Sequence, residues 1–370
     1  MTPDGIDKFI RPELKAFGGY SAATSPETLV GKIEVPPDKI VKLDANENPY
    51  GCSPRVSKAL AGFKQFHIYT DNYQTRLRQQ LAHLAGVDAG CIVAGGGSNT
   101  LIDLIVRLFV APGDEVVNCV PTFGIYSFST ELCGGKLVSV PRGPDFGLDL
   151  RATKAALTDR TKLIFLANPN NPTGNATPRQ DILDLLGTGI PLLLDEAYYE
   201  FCGETLADLV GKQANLMVLR TFSKWAGLAG LRVGYGLFPP KIADYLLAIK
   251  MPYNVNVAAL VAVEESLKDV DYLMQTVRRI TAERERLIAE LSNLGWLKVY
   301  PSRANFVLCE LLRGDAERLR QRLQDKGILV RYFDQPRLKN FVRISVGKPE
   351  DTDALIKALK GVEADVKKEN

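Results

Sequence analysis

The stretch TKLIFLANPNNPTGNATPRQDILDLLGTGIPLLLDEAYYEF, residues 161–201, decides the reading of the fold. It opens on an apolar run, breaks into a polar turn bearing two prolines, and takes up helical spacing over TPRQDILDLLG. A second apolar run, IPLLL, then ends in the carboxylates of DEAYYEF. Two aliphatic strands joined by one amphipathic helix form the unit of a parallel sheet. Neither run alternates with polar residues, as expected of strands covered on both faces.

The same rhythm extends in both directions. CIVAGGGSN (91–99) reads as a strand entering a glycine loop, and TLIDLIVRLFVAPG (100–113) as a helix. DEVVNCVP, FGIYSFSTELCGG and KLVSVP follow as strand, helix and strand, and NLMVLRTFSK and LRVGYGLFP lie beyond DEAYYEF. This alternation predicts an α/β domain with a mainly parallel sheet covered by helices. Near residue 257 the texture shifts to long helices rich in charge pairs, then to a smaller α+β pattern ending in a polar, fraying KKEN. The expected division is an amino-terminal arm over 1–44 packing with the small domain, a large α/β domain over 45–255, and a linking helix with a small α+β domain over 256–370.

Bulk properties narrow the function. The 370 residues exceed one typical core, which agrees with two domains. Lys and Arg total 46 against 43 acidic residues, a net charge of +3, and no basic run is interleaved with aromatics, so nucleic acid is not an expected partner. The six cysteines form no CxxC pair, which favours reduced thiols in the cytoplasm over disulfides or zinc. With two histidines, His67 and His83, a histidine-rich metal site is not expected, and His83 reads as a helix-face residue. The amino terminus lacks an apolar secretory segment, and LIDLIVRLFVAP is too short and interrupted to cross a bilayer.

Four polar clusters fall at predicted strand ends, where open α/β sheets collect ligands. In GGGSN (95–99), Gly97 permits close approach while the amides of Ser98 and Asn99 open a helix toward an anion; a plain strand-to-helix turn is the alternative. In NPNNPTG (168–174), Asn171 offers an amide, although a bland loop would also explain the prolines. Asp195 ends a buried strand, where a carboxylate needs a cationic partner. That partner is either an internal salt bridge or a protonated ring nitrogen, with Tyr198 nearby as a hydroxyl donor. In TFSKWAGLAGLRVGYG (221–236), Thr221, Ser223 and Arg232 can hold a phosphate. A desolvated Lys224 beside cations becomes a nucleophilic amine. A surface turn explains TFSK alone, but not all four clusters in one sheet.

GGGSN, NPNNPTG, DEAYYEF and TFSKWAGLAGLRVG, in this order, resemble the fold-type I pyridoxal-phosphate aminotransferases. That resemblance implies a seven-stranded, mainly parallel sheet in the large domain. It makes Lys224 the lysine of the internal aldimine with pyridoxal 5'-phosphate, Asp195 the partner of the pyridine nitrogen, and Asn171 and Tyr198 the donors to the ring's O3′. Gly97, Ser98, Asn99, Thr221, Ser223 and Arg232 would surround the phosphate, with Phe123 stacked on the ring. KLDANENPYG (42–51), IYTDNYQTRLRQQLA (68–82) and NFVRISVG (340–347) look most like the histidinol-phosphate aminotransferases. By that likeness Tyr69 reaches the cofactor phosphate of a partner subunit in a homodimer. Arg343 grips the substrate's anionic end, helped by Arg331 and Tyr20, with Asn46 and Asn171 also at the substrate. A strand-end ion pair is the alternative for Arg343. This chain reads IYTD at 68–71 where most of that family reads RYP.

The resemblance implies a ping-pong transfer from histidinol phosphate to 2-oxoglutarate, a step of histidine biosynthesis. Three rival readings share the fold: an aromatic amino-acid aminotransferase, a threonine-phosphate decarboxylase, and a cofactor-binding regulatory module. The last usually carries a DNA-binding segment, and no basic winged-helix pattern precedes residue 45.

Overall fold

A computed structural model describes residues 5–366 apart from 16, 21–24, 30 and 32; the KKEN end lies outside the described residues. Its strands are β1 (Val41–Leu43), β2 (Ile92–Gly95), β3 (Glu115–Val120), β4 (Lys136–Pro141), β5 (Thr161–Ala167) and β6 (Leu192–Asp195). They continue with β7 (Leu216–Thr221), β8 (Gly234–Leu237), β9 (Leu297–Val299), β10 (Phe306–Leu311), β11 (Ile328–Tyr332) and β12 (Phe341–Ser345).

Seven of these form one sheet in the order β2-β8-β7-β6-β5-β3-β4. The expected mainly parallel, seven-stranded sheet is present: β3 pairs in parallel with β4 and β5, β5 with β6, and β6 with β7. Only β8 runs antiparallel, against both β2 and β7. The 161–201 stretch is β5, the helix Arg179–Leu186 and β6, with Ala167 registered against Asp195.

Side chains along each strand alternate between two cores because successive residues point to opposite faces. Leu193, Met217 and Leu219 face a core shared with Ile102, Ile105 and Leu246. Leu192, Leu194, Leu216 and Val218 face the other, shared with Ile182 and Leu185. Both faces are thus dry, which is why the strands read as unbroken apolar runs.

The second sheet has the order β1-β11-β12-β10-β9. Its edge strand β1 comes from the chain's amino-terminal part and pairs in parallel with β11. The other pairings are antiparallel, and Arg331 on β11 registers against Arg343 on β12. The helix Val270–Ser292 runs 23 residues between the two strand sets. Among the described residues, no helix is long and apolar enough to cross a membrane. His83 is exposed on the helix Thr75–Ala85, as its spacing suggested.

Candidate active site

The parallel strands deliver their polar termini to one edge of the large sheet, where a cavity of about 650 Å³ opens. The small sheet closes its far side with Arg331 and Arg343 and with Phe333, Gln335 and Leu338 from the segment between β11 and β12. Fourteen of the residues singled out from sequence line it: Tyr20, Asn46, Ser98, Asn99, Phe123, Asn171, Asp195, Tyr198, Thr221, Ser223, Lys224, Arg232, Arg331 and Arg343. Gly97 lies just behind that wall, and Tyr69 stands outside it.

The eight-residue spacing of Lys224 and Arg232 has a direct cause. The chain leaves β7 at Thr221 and returns at Gly234, its antiparallel partner on β8. Both basic residues therefore sit on one excursion that begins and ends at the same sheet edge. Arg232 has a left-handed backbone, with φ of 56°, and its guanidinium packs against Gly97. A Cβ on Gly97 would overlap Arg232 Nη2 and lie 3.0 Å from Cζ, so only glycine leaves this cradle open. Gly97 caps the helix Ser98–Phe109, whose first amides have no partner within the helix. Ser98 N–H, Asn99 N–H, the Thr221 and Ser223 hydroxyls and Arg232 together form a donor set fitted to a phosphate.

Lys224 donates through Nζ to the Ala45 carbonyl at 2.9 Å. Burial brings its amine down to about 7, and the positive charges of Arg343, Arg232 and Lys42 push the same way against an opposing contribution from Glu47. At neutral pH a substantial fraction of this lysine is unprotonated, so it can act as nucleophile or base.

Asp195 is 5% exposed and, among the described residues, meets no cation. The internal salt bridge considered for it is made instead by its neighbour: Glu196 Oε2 lies 3.1 Å from Arg220 Nη2, both fully buried. Asp195 accepts from the Tyr126 hydroxyl at 2.7 Å and from Ala197 N–H at 3.0 Å. Burial raises its carboxyl above the usual range, and these two donors pull the other way. A buried carboxylate at the cavity wall without a cation fits a ligand that brings its own positive charge.

The remaining polar residues are tied together. Asn46 Nδ2 donates to the Tyr198 hydroxyl at 3.0 Å, and Asn46 Oδ1 accepts from Ser345 Oγ at 3.0 Å. Burial first, opposed by Arg343 and Asn46, pushes the Tyr198 phenol up to about 12, so it stays a donor at neutral pH. Arg343 forms no ion pair among the described residues; it donates to Asn171 Oδ1 and to the Asp44 carbonyl, each at 2.6 Å. Its Nε is buried and unpartnered, leaving donor capacity for an anion. Phe123 meets Tyr20 edge-on at 6.2 Å and Tyr126 edge-on at 5.7 Å.

Sequence reasoning passed over Tyr126 and Asp44, both of which line the cavity. The signal for Tyr126 was its place three residues after Phe123 in PTFGIY, one helical turn away. Among the described residues, no cluster of His, Cys, Asp and Glu is arranged to hold a metal.

The aminotransferase class I and II family profile matches residues 38–359. The histidinol-phosphate aminotransferase of Dehalococcoides mccartyi (strain ATCC BAA-2266 / KCTC 15142 / 195) is 54% identical over 359 residues, covering 97% of this chain and 99% of that one. The enzyme of the same name from Roseiflexus castenholzii is 48% identical, covering 97% of this chain and 100% of that one. Among solved structures, histidinol-phosphate aminotransferase from Sinorhizobium meliloti in complex with pyridoxal-5'-phosphate superposes with a TM-score of 0.87 at 30% identity, covering 96% of this chain and 98% of that one. With the cavity chemistry above, these matches establish that the chain belongs to the class I and II aminotransferases and, within them, to the histidinol-phosphate aminotransferase family.

Proposed function

We propose that this chain is a pyridoxal-phosphate-dependent enzyme that moves the amino group of histidinol phosphate to 2-oxoglutarate, giving imidazole-acetol phosphate and glutamate. The observation that carries the reading is the pairing, in one cavity, of a lysine titrating near neutrality with a buried carboxylate lacking a cation. The cofactor, when bound, supplies an aldehyde that reacts with amines and a cationic ring that withdraws electrons from the substrate Cα.

The chain's own residues supply the rest. Ser98, Asn99, Thr221, Ser223 and Arg232 would hold the cofactor's phosphate, and Asp195 its ring nitrogen. Asn171 and Tyr198 would donate to the ring oxygen, with the Asn46 bond at Tyr198 orienting that hydroxyl. Lys224 would take the Cα proton as general base and return it to the cofactor's carbon, two atoms away. Its lowered proton affinity at neutral pH suits both steps.

Arg343 and Arg331 stand on adjacent strands at the cavity's far end and would grip the substrate's anion. A guanidinium pairs bidentately with phosphate or carboxylate, which lets one site serve both the phosphorylated donor and the dicarboxylate acceptor in turn. Tyr20 and Phe123 provide the aromatic wall near the ring.

The same reading includes a homodimer in which Tyr69 reaches the partner's cofactor phosphate. In its own chain Tyr69 is 79% exposed and stacks on Tyr253 at 4.5 Å, away from the cavity, which supports that role. The six cysteines are all unpaired, in keeping with a cytoplasmic setting.

A donor panel with 2-oxoglutarate as acceptor tests the assignment. Histidinol phosphate is expected to give the highest kcat/KM, above phenylalanine and tyrosine. Faster transfer from either aromatic amino acid would overturn the donor, as would carbon dioxide release from threonine phosphate without 2-oxoglutarate.

A further inference from the structure

Among the described residues two donors reach the Asp195 carboxylate, and each takes one oxygen. The Tyr126 hydroxyl donates to Oδ2 at 2.7 Å and Ala197 N–H donates to Oδ1 at 3.0 Å. Rotating the carboxylate out of this position breaks at least one of the two bonds. The hydroxyl is the shorter bond and comes from a different part of the chain, so it fixes the orientation from outside the Asp195 turn.

Tyr126 is itself immobilised. Its side chain is fully buried, and its ring stacks on Phe165 with centroids 4.6 Å apart and planes 10° from parallel. Phe165 lies on β5, beside the strand that carries Asp195. The edge of the same tyrosine meets Phe123 at 5.7 Å and 89°. One rigid side chain therefore touches both Asp195, assigned to the ring nitrogen, and Phe123, assigned to the ring face. A phenylalanine would fill the same space without the donor. The hydroxyl is consequently not needed for packing, and among the described residues its one hydrogen-bond acceptor is the carboxylate.

We propose that Tyr126 is a positioning residue that acts through Asp195, holding the carboxylate in the orientation that receives the cofactor's ring nitrogen. The inference rests on the cofactor reading given above. Without the hydroxyl, Asp195 keeps a single donor and gains rotational freedom in a buried site. The ring nitrogen is then met by a less well-oriented charge, which weakens cofactor binding and the electron-withdrawing step, while the distant Arg343 end is unaffected.

The test compares wild type, Tyr126→Phe, Asp195→Asn and the double variant. Each apoprotein is titrated with pyridoxal 5'-phosphate, and each loaded enzyme is assayed with histidinol phosphate. Loss of one charge-assisted hydrogen bond predicts about tenfold weaker cofactor binding in Y126F and kcat lower by about 10- to 100-fold, with KM for the donor within about twofold. In the Asp195→Asn background, adding Y126F is expected to change the cofactor Kd by less than about twofold, because the two residues act as one unit. Wild-type affinity and kcat in Y126F would overturn the inference alone, as would an undiminished Y126F effect in the Asp195→Asn background. A wild-type protein that binds no pyridoxal phosphate would overturn the cofactor reading and this inference with it.

Discussion

Arg343 Nη1 donates to Asn171 Oδ1 at 2.6 Å, so the strand that presents the substrate-gripping arginine also holds the turn after β5. With that oxygen engaged, the amide's NH2 group is left to serve another acceptor. Two residues later on the same strand, Ser345 holds Asn46, which in turn donates to Tyr198. Both residues proposed to serve the cofactor's ring oxygen are thus tied to β12, the strand assigned to the substrate's anion.

Arg343→Lys is expected to raise KM for histidinol phosphate and for 2-oxoglutarate together, each by about 10- to 100-fold, because a point charge replaces a planar fork. Steady-state kinetics with both substrates varied reads this out. A change confined to one substrate would contradict a shared anion site.

Lys224 sets the pH behaviour. Reaction of the apoprotein with pyridoxal 5'-phosphate should quicken as pH rises through about 7, where the free amine loses its proton, and level off above it. Stability of the apoprotein follows by linkage. The unfolded chain keeps the ordinary lysine value of 10.5, so between about 7 and 10.5 it binds more protons than the folded one. Unfolding free energy therefore rises with pH in that window. Lys224→Met removes the penalty: its melting temperature should exceed wild type most at and below pH 7, with the gap closing toward pH 10. A gap that widens with pH contradicts the lowered proton affinity.

Much of this site was legible before the fold. GGGSN, NPNNPTG, DEAYYEF and TFSK could be placed because parallel strands send their carboxyl ends to one edge, and a motif after an aliphatic run inherits that position. The contact between Arg343 and Asn171 was not legible, since it spans two sheets and 172 residues of chain. Nor was the choice between Asp195 and Glu196 for the internal ion pair. Adjacent strand-end residues point to opposite faces, and sequence alone does not say which face holds Arg220.

Glu196→Gln should destabilise the protein by about 3 kcal/mol, because Arg220 stays buried after losing its charged partner. Urea unfolding of the apoprotein measures it. An unchanged midpoint would mean that the pair contributes nothing.

Gly97→Ala should weaken cofactor binding by about tenfold or more, since the new methyl displaces the Arg232 guanidinium from the helix terminus and strains a backbone with φ of 92°. Titrating the apoprotein with pyridoxal 5'-phosphate tests this. Wild-type affinity would remove Arg232 from the phosphate site.

Borohydride reduction of the loaded enzyme, followed by peptide mapping, tests the assignment of Lys224 most directly. A single pyridoxyl adduct on Lys224 is the expected result. An adduct on any other lysine, or none at all, would contradict it.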